Sequence, residues 1–486
     1  MSAPGSLSEK QPASTPDRTT ETPTDSPVTT ADPQPFGLEW RCSSWFTTLI
    51  VGLGVATDLL VYSIIIPVMP FELERRGYHS VSALTGWLLF AFSAGLVVFT
   101  IPIAMLTEHY NTRRTPLILG LVLLIGSQIM LMEAPNYAVM CIARVLQGFG
   151  STMVWVVGLA LLCDSTPEQH VGRQLGLAMS GMAIGFLAGP PIGGALYTRF
   201  GYRGPFICGI ILCLFDLIGR LLIIERKDAL RWNIDPATPI PPANGGVMDE
   251  EKSTDATSPA RAQASSSPVR LSLVGVVARL FKSPRAIVVL NTIFLYGILY
   301  STQEPTLPLH LQDIWGLDSR TVGLVYLAGV VPTLFSAPLS GWYTDRQGVE
   351  WLCFICLALA LPWWVVMIIQ RSLALFITAY GLGSFFLSGL LSPVMAELAA
   401  VSRGIDGVGY GHVYGAFNLV YGIGTTLGPV IGGQMYAHLE RGWLAISLLS
   451  AGLLVVAGGT MFCYTGDDPM LAKVRRLGGR GRSAEQ

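Results

Sequence analysis

The stretch GFLAGPPIGGALY, Gly185 to Tyr197, places four glycines and two adjacent prolines inside an apolar run long enough to be a helix. In the interior of a soluble helix a proline costs about 3 kcal/mol and a glycine about 1 kcal/mol. A second run, GTTLGPVIGGQMY, Gly424 to Tyr436, repeats the pattern. The repetition indicates a structural cause that applies twice in the same molecule.

The composition of the chain is that of a membrane protein. Of its 486 residues 51% are hydrophobic and 13% are charged, and the mean hydropathy is +0.52. Soluble domains carry about 25% charged residues. An apolar run of about 18 residues or more predicts a membrane-spanning helix, because the hydrocarbon core is about 30 Å thick.

Twelve apolar segments of this kind follow one another along the chain. We therefore predict an all-α membrane protein with twelve transmembrane helices in two pseudo-symmetric six-helix bundles. The Ser-, Thr- and Pro-rich start of the chain and the polar stretch after the sixth segment predict a disordered tail and a linker. The predicted parts are a cytosolic tail (1–44), an N-terminal bundle (45–224), a cytosolic linker (225–285), a C-terminal bundle (286–464) and a cytosolic tail (465–486).

The basic residues predict the orientation. With both termini on the cytosolic side, 22 of the 31 Lys and Arg residues fall on that side. An excess of Lys and Arg in cytoplasmic segments is the usual bias of membrane proteins. We therefore expect both termini in the cytosol.

The second six segments repeat the first six. Gly189-Pro190 and Gly428-Pro429 are 239 residues apart, and the PVMP of 67–70 and the PTLP of 305–308 are 238 apart. Ala104 and Gly341, which open two short polar loops, are 237 apart. Two parallel halves around a central cavity are a transporter architecture.

The glycines of the opening stretch have a physical explanation in lipid. Membrane helices associate by close packing, so small residues lie where backbones approach, and a proline lets a helix bend. We predict a smooth, bendable face on which the two halves pack and rock, formed by Gly185, Gly189, Pro190, Gly193 and Gly194.

Charged residues inside the spans are candidates for function, because charge is expensive in the membrane. Asp58 lies in the middle of the first span, with Tyr62 one turn later, and could bind a proton or a cationic substrate. The alternative is a structural carboxylate held by neighbouring hydroxyl groups. Glu304 in the seventh span is either a second proton site or a residue of the outer mouth.

The fourth and eleventh spans add further cavity candidates. Arg144 cannot be deprotonated and needs a carboxylate, a carbonyl or an anionic substrate as its partner, while Gln147 lies on the same helix face. Asn418 could line the cavity or simply pack. We place Asp216 and Arg220, which share one face of the sixth span, nearer the membrane edge, in gate-closing networks or at solvated helix ends.

Enzyme and nucleic-acid functions have no support in the sequence. The six histidines are dispersed without metal-ligand spacing, and no phosphate-binding P-loop occurs. The basic residues form no patch with interleaved aromatic residues. We predict a protein that is not an enzyme, with no catalytic residues, no metal, no cofactor and no nucleic-acid partner.

Several motifs resemble the major facilitator superfamily, in its twelve-span drug:proton antiporter group. GFLAGPPIGG matches the antiporter signature GxxxGPxxGG of that group, and RVLQGFG, from Arg144 to Gly150, is similar to its fourth-helix motif, whose arginine and glutamine are tied to proton coupling. The loop GWYTDRQG resembles the gating motif GxxxDRxG, which implies gating roles for Gly341, Asp345, Arg346 and Gly348.

The first-half copy of the gating loop, AMLTEHYNTRR, departs from that motif. Glu108 stands in place of the aspartate, and Arg113 and Arg114 retain the positive charge. Within the group the chain looks most like fungal members related to vesicular amine transporters. Those relatives carry acidic residues in the tenth and eleventh helices, where this chain has Ser388 and Asn418, which argues against an amine substrate.

The combined prediction is a secondary transporter that exports a small organic molecule, such as a metabolite, organic acid, toxin or drug, by proton antiport with alternating access. The alternatives are a proton-coupled uptake symporter and a nutrient sensor of the same fold that moves nothing. The expected partners are the small-molecule substrate, protons and the lipid bilayer. We expect a monomer in the plasma membrane, with the vacuolar membrane as the alternative.

Overall fold

The computed structural model describes residues 35–110, 112–167, 171–232, 234–236, 279–403, 410–466, 469–471 and 476. The predicted tails and linker lie largely outside these ranges, as do the side chains of Glu108 and Asp345. The described residues form helices joined by turns, and no strand occurs among them. The prediction of an all-α protein is therefore confirmed for this part of the chain.

Six long helices make up the N half. The first is followed by a short helix, Met69–Arg75, and the fourth is interrupted by a π-helical turn, Met153–Val157. The six are α1 (Ser44–Ser63), α2 (Val81–Tyr110), α3 (Arg114–Met132), α4 (Tyr137–Asp164), α5 (Val171–Phe200) and α6 (Arg203–Leu222).

The C half repeats this arrangement. Its first helix is broken around Pro305, between Thr302 and Leu307, and its fourth is broken at Leu390. The six are α7 (Pro284–Trp315), α8 (Ser319–Gln347), α9 (Val349–Val366), α10 (Leu373–Gly389 continued by Leu391–Arg403), α11 (Tyr410–His438) and α12 (Gly442–Tyr464).

The helices have the length and composition of membrane spans. Eleven of those searched in the described residues are long and apolar enough to cross a membrane. The remaining helix, α11, has 29 residues and packs against α2 and α7. At about 1.5 Å per residue this length also exceeds the thickness of the hydrocarbon core.

The repeated glycines let backbones touch within each half. A Cβ atom on Gly189 of α5 would lie 1.9 Å from Oγ of Ser63 in α1. In the C half, a Cβ atom on Gly428 of α11 would lie 2.1 Å from Oγ of Ser301 in α7. No side chain fits at either position, so the two copies of the motif solve the same packing problem.

Other positions of the same two helices meet the opposite half. A Cβ atom on Gly194 would lie 2.2 Å from the carbonyl oxygen of Ser319 in α8, and one on Gly433 would lie 2.4 Å from that of Ser82 in α2. The predicted single glycine face is therefore two faces. Gly194 touches the opposite half, whereas Gly185, like Gly189, packs on α1 of its own half.

The two halves are joined mainly at one side of the molecule. We call the side where α1 begins and α12 ends the terminal side, and the opposite side the distal side. On the distal side Nε2 of Gln312 donates to Glu74 at 2.8 Å, and the Ser319 hydroxyl donates to the carbonyl oxygen of Pro67. The described hydrogen bonds between the halves lie at the level of Glu304 or on its distal side.

A buried carboxylate fixes the distal end of the N half. Glu72 accepts hydrogen bonds from Nε of Arg75 at 2.8 Å and from Nε of Arg76 at 2.7 Å. Burial acts to raise the pKa of Glu72, but the two arginines outweigh it and hold the pKa below its ordinary value. The carboxylate therefore stays ionised and anchors both arginines.

Adding a methyl group at a glycine contact tests this packing. We expect Gly193→Ala to lower the melting temperature of the purified protein in detergent, because its Cβ atom would lie 2.2 Å from the carbonyl oxygen of Ile64. Overpacking of this kind costs about 1–3 kcal/mol. The matched control is Gly126→Ala in α3, where nothing lies within 4 Å of the added atom. Equal melting of the two variants would contradict the packing assignment.

Candidate functional site

Asp58 lies inside the N half with one carboxylate oxygen bonded and the other free. The residue is 1% exposed. Its Oδ2 accepts a hydrogen bond from the Ser151 hydroxyl at 2.6 Å and one from the Trp155 indole N–H at 2.9 Å. Its Oδ1 has no hydrogen-bond partner among the described residues. The two hydrogen bonds to Oδ2 agree with a structural carboxylate held by neighbouring groups, and the unpartnered Oδ1 agrees with a carboxylate that binds a proton.

The π-helical turn of α4 accompanies the two donors to Asp58. It starts at Met153, between Ser151 and Trp155, and ends at Val157. Single π turns inside α-helices occur frequently at functional sites, since they change the direction of neighbouring side chains. The sequence contains no proline or other signal that predicts this turn.

Asp216 and Arg220 are buried beside Asp58, which corrects the expectation of solvated helix ends for them. Asp216 is 0% exposed and Arg220 is 2% exposed. Nε of Arg220 donates to both carboxylate oxygens of Asp216, at 3.1 and 3.2 Å. Both residues interact electrostatically with Asp58. Their spacing of four residues predicts a shared face, but it does not give the depth.

Arg144 is fully buried beside two aromatic rings. Its Nη1 donates to Oε1 of Gln147 at 2.9 Å, as their common helix face predicts. The guanidinium lies 5.6 Å from the ring centre of Tyr62 and 5.5 Å from that of Phe92. Nε and Nη2 have no partner among the described residues, so Arg144 retains unused donors.

Glu304 connects the two halves near Arg144. Its Oε2 accepts a hydrogen bond from the Tyr62 hydroxyl at 2.6 Å, which joins α7 to α1. It lies in the break of α7, where its backbone carbonyl accepts from the hydroxyl of Tyr326 at 3.4 Å. Arg144 interacts with it electrostatically. The structure therefore brings together three residues that the sequence identified separately.

Aromatic side chains surround Glu304, and sequence reasoning missed most of them. Tyr296 and Tyr300 are four residues apart on one face of α7 and lead to Glu304 in the break of that helix. Further rings come from both halves. Phe92, Phe186 and Tyr421 contact the rings of Tyr62, Tyr296 or Tyr300 at 4.8 to 6.1 Å. Tyr326, which donates to the backbone of Glu304, contacts the ring of Tyr380 at 6.4 Å.

Asn418 is not part of this cluster. It lies on an exposed part of α11, and no described contact joins it to Glu304 or Arg144. Its expected role in lining the cavity stays a prediction.

The first gating loop forms a charge network on the terminal side. Nε of Arg113 pairs with Asp164 at the end of α4 at 3.0 Å, and Arg114 donates to the carbonyl oxygen of Leu221 at 2.7 Å. The backbone N–H groups of both arginines donate to Glu225. Three elements are held together here. The side chain of Glu108 lies outside the described part, so its gating role stays a prediction.

The second gating loop ends α8 with a glycine that its backbone requires. Gly348 has φ +85°, a left-handed conformation that favours glycine. The Arg346 guanidinium lies 4.3 Å from the ring centre of Trp342, while Gly341 lies near Ser392 of α10. The side chain of Asp345 lies outside the described part, so its gating role stays a prediction.

No group of three or more His, Cys, Asp or Glu side chains that could hold a metal ion occurs among the described residues. The buried groups are instead suited to holding a proton and to binding a small polar molecule among aromatic rings. The family model described as Major Facilitator Superfamily matches residues 51–302 and 289–483.

Two relatives and one solved structure illustrate what the chain resembles. The MFS-type transporter ppzB of Metarhizium rileyi is 25% identical over 484 residues, which cover 91% of this chain and 98% of that one. The vesicular acetylcholine transporter of Drosophila melanogaster is 25% identical over 446 residues, 83% of this chain and 68% of that one. The solved structure is a bacterial homolog of the human lysosomal transporter Spinster in an inward-facing, unoccupied conformation. It matches with a TM-score of 0.64 at 15% identity, over 86% of this chain and 96% of that one. This likeness supports the fold alone.

The Tyr62–Glu304 hydrogen bond can be tested directly. We expect Tyr62→Phe to speed amide hydrogen exchange in residues 303–306 about tenfold, because a hydrogen bond to a charged group contributes about 1.5–3 kcal/mol. The measurement is exchange followed by mass spectrometry on the protein in detergent. Tyr137→Phe is the control, since its hydroxyl bonds the carbonyl oxygen of Leu84 within the N half. Unchanged exchange in Tyr62→Phe would show that the bond does not stabilise the break in α7.

Proposed function

The chain belongs to the major facilitator superfamily, and from that premise we propose that it exports a small organic molecule in exchange for protons. It is a multi-pass membrane transporter of this superfamily. The resemblance to the drug:proton antiporter group and to vesicular amine transporters is confirmed by the relatives. Proton exchange and outward direction are parts of the proposal.

One observation carries the proposal: a candidate proton site lies one helical turn from a hydrogen bond that crosses between the halves. Asp58 and Tyr62 are four residues apart on α1 and therefore share a face. Tyr62 in turn holds Glu304 of the other half at 2.6 Å. A change of charge on Asp58 can thus act through α1 on the contact between the halves.

The region around Glu304 is the proposed cargo site. Tyrosine hydroxyls and the Glu304 carboxylate offer hydrogen-bond acceptors, and Arg144 offers unused donors. The aromatic rings supply a large apolar surface for an organic body. A cargo that binds Glu304 competes with Tyr62, so its arrival loosens the bond between the halves.

The terminal side is proposed to face the cytosol of the cell. The charge networks at Arg113 and at Arg285–Glu397 both lie on this side. The concentration of Lys and Arg in the segments connected to it supports this orientation. We keep the plasma membrane as the proposed location and the vacuolar membrane as the alternative.

Proton exchange can be tested without knowing the cargo. The full chain is reconstituted in liposomes with a metabolite extract, and a gradient of one pH unit is imposed. If one proton is exchanged per uncharged cargo molecule, this gradient supports about a tenfold ratio of cargo concentrations across the membrane, equivalent to about 1.4 kcal/mol. We expect a compound, identified by mass spectrometry, to accumulate in the acidic compartment with the wild type, and this accumulation to be lost in Asp58→Asn.

Two controls keep this experiment specific. Asp228→Asn, on the short helix Arg226–Ala229 outside the spans, is expected to retain the accumulation. Glu304→Gln is expected to weaken cargo binding. Accumulation in the alkaline compartment would instead indicate a symporter, and movement of no compound would favour a sensor.

A further inference from the structure

Three charged side chains are buried together inside the N half. They are Asp58 on α1 and the pair Asp216 and Arg220 on α6, each no more than 2% exposed. Two carboxylates face one guanidinium, so the cluster carries a formal charge of −1 when both acids are ionised. The other buried pair, Arg144 and Glu304, contains one charge of each sign and needs no proton for balance.

Several polar atoms of this cluster have no hydrogen-bond partner among the described residues. Arg220 uses Nε to hold Asp216, while its Nη1 and Nη2 have no partner among the described residues. On the facing helix, Oδ1 of Asp58 also lacks one. Unpaired buried donors and an unpaired buried acceptor each cost free energy, and they lie on neighbouring helices.

Gly54 places the free end of Arg220 against α1. A Cβ atom on Gly54 would lie 1.9 Å from Nη2 of Arg220 and 3.1 Å from Oδ2 of Asp216. Gly54 is one turn before Asp58 on the same face of α1. The absence of a side chain at this position lets the guanidinium lie against α1, one turn from Asp58.

The other groups that face Asp58 do not supply a second cation. On α4 they are Ser151 and Trp155, which are neutral donors. On α6 the thiol of Cys213 interacts with Asp58 in addition to the ion pair. The α5 helix meets this part of α1 through glycines, such as Gly181 and Gly185, whose neighbours are backbone atoms around Ala56.

An ionised carboxylate without a counter-charge is very costly in a medium of low polarity, and such a group takes up a proton instead. With one guanidinium for two carboxylates, charge balance in the cluster requires one proton. Sequence reasoning gave Asp58 as a proton site, with Glu304 as an alternative second one, and did not connect Asp216 or Arg220 with the proton. The geometry adds a second acid and a cation that can reach either acid.

We propose that Asp58, Asp216 and Arg220 hold the exchanged proton as a unit. While Asp58 carries the proton, Arg220 pairs with Asp216. When the proton leaves, the Arg220 guanidinium turns to the Asp58 carboxylate. The O–H bond of the Asp58 carboxyl breaks, the electron pair stays on the carboxylate, and the proton passes to water. Asp216 and Arg220 are positioning residues in this scheme. The inference rests on the proposed proton exchange and names the residues that control it.

Infrared difference spectroscopy tests the unit without any cargo. The full chain in lipid nanodiscs is titrated with pH, and the carbonyl stretch of protonated carboxyl groups is recorded. Asp58→Asn identifies the band of Asp58. We expect Arg220→Gln and Asp216→Asn to move the midpoint of that band by about one pH unit or more in opposite senses, because one removes a neighbouring cation and the other an anion.

Two further variants keep the test valid if a single neutralisation prevents folding, since breaking a buried ion pair costs about 3–5 kcal/mol. The double variant Asp216→Asn with Arg220→Gln removes both charges and is expected to give a midpoint between those of the single variants. Gly54→Ala changes no charge but occupies the space of Nη2, and is expected to move the midpoint in the same sense as Arg220→Gln.

An ion pair at the other end of α6 serves as the control. Arg203 at the distal end of α6 pairs with Glu133 at 2.7 Å, and both side chains are about half-exposed or more. Arg203→Gln is expected to leave the Asp58 band in place. If Asp58→Asn removes no band, the proposed proton site itself is wrong. If it removes the band while Asp216→Asn, Arg220→Gln and Gly54→Ala all leave the midpoint unchanged, only the three-residue unit is overturned.

Discussion

A charged side chain can remain in the interior of a membrane protein only if protein groups replace the water that it loses. This constraint accounts for the partners that several buried charges have in the described part of the chain. Arg220 is held by Asp216, Arg144 by Gln147 and two aromatic rings, and Glu304 by Tyr62. The hydrogen bond to Glu304 crosses between the halves, so the requirement to solvate charge also determines how they are joined.

The backbone of the two halves is repeated, but the chemistry is not. The offset of 238 residues that relates Ser63 to Ser301 places Tyr296 where the N half has Asp58. In α12, an offset of 239 places Val455 opposite Asp216. The N half therefore supplies the acid cluster, and the C half supplies tyrosines and Glu304. Symmetric packing and asymmetric charge are therefore combined in one pair of halves.

Sequence reasoning could predict the features that follow from repetition and composition. The paired glycine motifs, the helical class and the shared face of Arg144 and Gln147 depend on spacing along a single helix. The depth of Asp216 and Arg220 could not be predicted, because an apolar segment does not show how far a helix is shifted or rotated. The bond between Tyr62 and Glu304 joins residues 242 positions apart, and it depends on how α7 breaks and packs.

The glycine contacts at the distal side have a consequence for how the molecule opens. Gly194 on Ser319 and Gly433 on Ser82 lie on opposite sides of the axis that relates the halves, and both contacts are backbone against backbone. Rigid halves cannot separate at one of these contacts without tilting into the other. Movement at one contact is therefore tied to movement at the other, so neither contact changes independently when one half moves against the other.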